Sequence, residues 1–256
     1  MSGSLRVVQR NALVYRRAWR GSLFTSFLQP TLFLTAMGVV LGSRIDGGGA
    51  ELPGGVPFLH FLAPGLLAST CMQTAMFESS YPVHHKMAWR RSYDALNATP
   101  LRVADIVVGE LAWIALRLSM VASIFMLVIG MFGVVHSARA LLALPVAVLT
   151  GLAFAAPIVA YAATLKTSGN FNVLFRFVIT PLFLFSGVFF PVSLLPDWLE
   201  PVPWLTPLFH GVALTRGLAL DMTASPVWML HLAYLLAIAV GGTFAAVRTF
   251  ERRIRA

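Results

Sequence analysis

The stretch ALLALPVAVLTGLAFAAPIVAYAATL, residues 140–165, contains no charged side chain. A helix needs about twenty mainly apolar residues to cross roughly 30 Å of hydrocarbon, and this run exceeds that. Working outward from it, five more uncharged runs of similar length appear at 21–43, 52–77, 118–138, 177–196 and 222–247. The whole chain agrees with them: 58% of its 256 residues are hydrophobic and 11% are charged, where soluble domains average about 25% charged. The fold expected is an all-α polytopic membrane protein with six transmembrane helices. As helices rather than uncharged runs, the spans are placed at about 21–43, 52–77, 106–135, 140–165, 171–192 and 222–247.

The first run is longer than the apolar core of a secretory signal and follows a polar, basic segment, so it reads as an uncleaved span. The shorter run 201–215 carries Pro201, Pro203 and Pro207, which suits a re-entrant or interfacial segment. The lone Cys71 excludes an intramolecular disulfide and a multi-cysteine metal site, and reads as a small hydrophobe.

Orientation follows from where Lys and Arg fall. Residues 1–20 hold five, 84–110 hold four, 164–176 two and the C-terminal segment four, while 44–55, 136–139 and 197–221 hold one each. This asymmetry places both termini in the cytoplasm of a cell (plasma or inner) membrane. The net charge of +9 is therefore a topology signal, and no basic, aromatic recognition module for nucleic acid is present. In the N-terminal segment Leu5, Val8, Ala12, Tyr15 and Trp19 form one helical stripe with Arg6, Arg10 and Arg17 on the other side. Residues 1–20 read as a helix lying in the interface.

Motifs for catalysis are absent. No glycine-rich loop leads into Lys86 or Lys166, so the chain lacks the phosphate cradle of an ATPase. H-E-x-x-H is missing, and Leu184 occupies the place of the leading glycine of a nucleophile turn at Ser186. His84 and His85 point apart on a helix and read as surface residues. No catalytic residue and no metal ligand is assigned.

One polar insert interrupts the apolar runs: HHKMAWRRSYDALNATPLRVADIVVGE, residues 84–110. Trp89, Tyr93 and Leu96 share a helical face, flanked by Lys86, Arg90 and Arg91. Thr99-Pro100 has the form of an N-cap followed by proline at the first helical position. A short helix is expected to end near Asn97, and a new one to start at Pro100 and enter the third span. Spacing alone fits two roles for the short helix, docking in a groove on a partner or lying on the lipid surface.

Three stretches carry a family resemblance: TPLRVADIVVGELAW at 99–113, ALPVAVLTGLAFA at 143–155 and PLFLFSGVFFPVSLLP at 181–196. They resemble the permease subunits of ABC-2-type exporters and are most similar to the nodulation-type (NodJ-type) lipo-oligosaccharide export permeases. The resemblance implies the ABC-2 permease fold, in which two six-span permeases pair and each docks a cytoplasmic ABC ATPase. ATP and Mg would then reside on that partner, in a 2+2 assembly with a second copy or a paralogue. It also implies that residues 84–97 are the coupling helix, with Lys86, Trp89, Arg90, Tyr93 and Leu96 meeting the ATPase. The N-terminal helix and the loop 166–172 would complete the docking surface, and 193–221 would form external re-entrant helices broken at Pro191 and Pro196.

Glu110 and Arg117 are seven residues apart and face one side of a helix. A charge at mid-bilayer costs about 2.5 kcal/mol or more, so either the helix starts below the membrane or the charges form a relay. Asp105 is assigned to the first account, and Glu110 to a relay with Glu78 and Arg117. In that relay Arg117 or Arg176 stands between the two carboxylates. Small polar and aromatic residues of the first, second and fifth spans form the candidate cargo pathway: Thr31, Thr35, Thr70, Gln73, Thr74, Thr180, Phe183, Phe185 and Phe189. The function expected is the permease subunit of an ATP-driven exporter of a lipid-linked saccharide or other amphipathic compound. The alternatives are a drug-exporting ABC-2 permease and an ATP-independent channel or carrier.

Overall fold

The computed structural model describes residues 3–17, 19–48, 55–88, 102–135, 137–165, 167–221 and 227–255, and among these it contains helices and no strands. Among the described residues, four helices are long and apolar enough to cross a membrane. They are α2 (Trp19–Gly47), α5 (Val103–Met131), α6 (Ala138–Thr164) and α10, whose full extent is Val227–Arg255. Two further apolar helices lie among them, α3 (Phe58–Ser79), interrupted by His60, Gln73 and Glu78, and the shorter α7 (Asn170–Phe185). The remaining helices are α1 (Gly3–Tyr15), α4 (Tyr81–Ala88), α8 (Pro201–Trp204) and α9 (Pro207–Ala219).

Helix α6 is the centre of the bundle, packing most extensively on α10 and α3 and also on α5 and α9. Its buried residues are mostly small, among them Ala143, Ala147, Gly151, Ala155 and Ala163, which lets neighbouring backbones approach from several sides. At Gly151 a methyl group would stand 2.6 Å from Leu118 Cδ1 and 3.1 Å from the Cys71 carbonyl. Three helices therefore meet where that side chain is missing.

Two helices contain π-helical stretches, Leu34–Leu41 in α2 and Phe175–Ile179 in α7. The second stretch precedes Pro181, which has no N–H to donate to the preceding turn. There Thr180 Oγ1 donates 2.9 Å to the Phe175 carbonyl, which supplies a local donor where the register widens. Helix α7 ends at Phe185, and after its cap residue Ser186 comes Gly187 with φ +74°. The break after α7 thus lies at Gly187, ahead of the expected Pro191 and Pro196, because only glycine takes that left-handed conformation without strain.

Other boundaries moved as well. Helix α5 starts at Val103, later than the expected Pro100, because Arg102 is extended and its N–H donates 3.2 Å to Asp105 Oδ2. That is the reciprocal half of a capping box. Helix α4 begins directly after a kink at Ser80, so helical structure starting at Tyr81 runs on into the polar insert as far as Ala88. Residues 89–101, including Trp89, Arg90, Tyr93 and Leu96, lie outside the described residues. Helix α1 lies along α5 on a face set one residue away from the expected stripe: Val7 and Asn11 are buried, while Leu5 is exposed. The reason is Gly109, where a methyl group would stand 2.7 Å from Val7 Cβ. The two backbones meet there, and Val7 fills the gap.

Candidate transport and coupling site

Two ion pairs, each with one buried member (Glu110 and Arg117), sit where α1 and α4 meet α3 and α5. Glu110, 1% exposed, accepts from Lys86 Nζ at 2.7 and 2.9 Å and from Asn11 Nδ2 at 3.0 Å. Arg117 Nε donates 3.1 Å to Glu78 Oε1, and its guanidinium lies 4.2 Å from the centre of the Tyr15 ring. Asn11 and Tyr15 are one turn apart on α1, so a single helix face contributes a partner to each pair.

This geometry revises the relay expected from the sequence. Glu78 and Glu110 do not share an arginine; each carboxylate has its own cation, and Arg176 is exposed. Lys86, assigned to the ATPase surface, turns inward to Glu110 and Asn11. A desolvated carboxylate needs a paired, hydrogen-bonded cation, and Lys86 lies within reach from the adjoining helix. His84 also moves from the expected surface to the interior, 3% exposed beside the Phe171 ring. Burial first, then the charges of Arg253 and His85, hold its pKa below the ordinary imidazole value.

The candidate pathway residues divide into groups. Gln73, Thr180 and Phe183 line one cavity of about 280 Å³ between α3 and α7, with Met72, Met76 and Phe77. Phe189 packs edge-on against Phe183 with centroids 5.1 Å apart and lies 6.2 Å from Phe33 of α2. The hydroxyls of Thr31 and Thr35 bond to carbonyls of their own helix, Phe27 and Thr31. Thr70, Thr74 and Phe185 are half-buried and do not line that cavity.

At the opposite end of the bundle, α9 joins α3, the end of α7 and α10 through polar side chains that the sequence reading did not single out. Thr206 caps α9 by accepting from Phe209 N at 3.2 Å, and its hydroxyl meets Ser186 Oγ at 3.0 Å. Arg216 donates through Nε to the Phe61 carbonyl at 3.1 Å and through Nη2 to the Gly187 carbonyl at 2.9 Å. Its guanidinium lies 3.7 Å from the centre of the Phe61 ring. The arginine thus covers a carbonyl at the break after α7 that no helix satisfies. His210 pairs with His231 of α10, Nδ1 to Nδ1 at 2.7 Å. The legible signal was that Arg216 is the sole charge among residues 201–220, which marks it as a candidate functional residue. Thr206→Val is expected to cost about 1–2 kcal/mol through the lost cap, while Thr206→Ser stays near wild type. The midpoints of heat unfolding in one detergent check this.

The family described as ABC-2 type transporter matches residues 5–220. Nodulation protein J of Sinorhizobium fredii is 33% identical over 97% of this chain and 92% of its own length. Nodulation protein J of Rhizobium leguminosarum bv. viciae is 32% identical over 98% and 94%. The inner membrane transport permease YadH of Escherichia coli is 25% identical over 78% of this chain and 75% of its own length. With its apolar helices, this chain is a multi-pass membrane protein that belongs to the ABC-2 transporter family.

Proposed function

We propose that the chain is the permease subunit of an ATP-driven exporter, moving a lipid-linked saccharide or another amphipathic compound outward across the cell membrane. A separate cytoplasmic ATPase holds ATP and Mg. The observation that carries this reading is the Lys86–Glu110 ion pair. It ties α4, from which the segment bearing Trp89, Tyr93 and Leu96 emerges, to a buried carboxylate of α5. A partner that moves this segment moves α4, and the ion pair passes the displacement to α5. Asn11 and the Glu78–Arg117 pair extend it to α1 and α3. Six spans with both termini in the cytoplasm, from the distribution of Lys and Arg, put this cluster on the ATPase side.

The resemblance of residues 99–113, 143–155 and 181–196 to lipo-oligosaccharide export permeases favours an amphipathic saccharide over other cargo. The cavity between α3 and α7, aromatic and methionine-rich with Gln73 and Thr180 as its polar groups, suits such a molecule. A second permease copy or paralogue would cover α2, whose apolar window is 19% buried where that of α6 is 56%.

The coupling role predicts that Trp89→Ala weakens retention of the ATPase. Burying a large aromatic side chain contributes about 1.5–3 kcal/mol, so retention on the purified permease should fall about tenfold or more. Tyr93→Ala should act in the same direction. Equal retention by both variants and wild type would move the docking surface elsewhere.

A further inference from the structure

A cavity of about 420 Å³ opens between α6, α9 and α10, lined by apolar side chains including Leu142, Val146, Leu149, Leu218 and Trp228, and by His231. The Trp204 carbonyl can only accept, so the 2.8 Å contact from His210 Nε2 places a hydrogen on that nitrogen. With both rings neutral, His210 Nδ1 is a lone pair and His231 Nδ1 must be the donor across their 2.7 Å contact. His231 Nε2 is then left as an acceptor. Among the described residues it has no hydrogen-bond partner, and it is not fully enclosed by protein. The ring itself is held in place, stacked on Trp204 at 5.5 Å, while His210 is stacked on Tyr234 at 4.1 Å. Tyr234 in turn donates 2.7 Å to the Leu205 carbonyl.

We propose that this cavity binds a long-chain amphiphile whose apolar chain fills the space and whose terminal hydroxyl, amide N–H or acid proton donates to His231 Nε2. The volume lies within the roughly 300–1,000 Å³ of small-molecule sites, which pair apolar walls with a few placed polar groups. One oriented acceptor in an apolar cavity selects for a donor, because a ligand without one leaves that acceptor unpaired. A carboxylic acid keeps the arrangement: its proton passes to His231 Nε2, and the imidazolium still donates through Nδ1 to His210. The position of the cavity in the outer leaflet rests on the orientation proposed above. The binding chemistry does not.

The test uses the full chain in phosphatidylcholine nanodiscs, with a photoreactive long-chain alcohol and its methyl ether as probes. Cross-linked peptides are mapped by mass spectrometry. The alcohol should label the segments 142–149 and 227–232 about two- to tenfold more than the ether, the range set by one hydrogen bond. His231→Phe should bring the alcohol down to the level of the ether. Adding phosphatidylethanolamine, whose headgroup carries N–H donors, separates the sources: competition identifies a lipid headgroup as occupant, and persistence of labelling identifies a free amphiphile. Equal labelling by alcohol and ether in the wild type overturns the proposal without any variant. Absence of label from both segments also overturns it. Neither result depends on the ATPase, so failure here and failure of the exporter reading are separable.

Discussion

Lys86→Met is expected to cost about 3–5 kcal/mol of stability, the usual consequence of leaving a buried charge without its partner. Glu110 is 1% exposed, and two of its three short contacts come from Lys86. With the ammonium gone, Asn11 is the remaining donor at 3.0 Å, and a neutral amide cannot offset the desolvation of a carboxylate. The double variant Lys86→Met/Glu110→Met should recover most of the loss, since apolar replacement of a whole buried pair is often neutral or better. Midpoints of heat unfolding, read by fluorescence-detected size exclusion in one detergent, decide it. A single variant that melts like wild type would show that the pair contributes nothing to stability. Its expected signature is a large loss in the single variant and a small one in the double.

Two adjacent glycines of α10 should respond to the same substitution with opposite signs. At Gly242 a new methyl group would meet the Pro157 ring of α6, 2.6 Å from Cδ and 2.8 Å from N. A proline ring in a packed helix cannot turn aside, so Gly242→Ala forces α10 and α6 apart and should cost about 1–3 kcal/mol. At Gly241 nothing lies within 4 Å. Gly241→Ala should therefore add about 0.5–1 kcal/mol by helix propensity alone. The same unfolding assay reads both. If Gly242→Ala matched or exceeded wild type, the close approach of α6 and α10 would be wrong.

Some of this was legible one residue at a time. Uncharged runs marked where helices lie because burial of backbone polar groups in lipid leaves helices as the simplest solution. The polar insert after the second run and the proline-rich stretch beyond Gly187 stood out by composition. The placement of Glu110 and Arg117 on one helix face followed from periodicity. What periodicity could not supply was each charge's partner. Lys86 and Glu110 are 24 residues apart, and Asn11 and Glu110 are 99 apart; which cation meets which carboxylate depends on how α1, α3, α4 and α5 cross. The buried face of α1 was missed by one residue because Gly109, on another helix, sets where the two backbones touch. His210 and His231, 21 residues apart, meet only because α9 folds back against α10. Hydropathy and helical period are properties of a short segment, and they determined the elements and the solvent these elements meet. Pairing, burial of individual charges and the cavity at His231 arise from contacts between segments, and only the tertiary structure decided them.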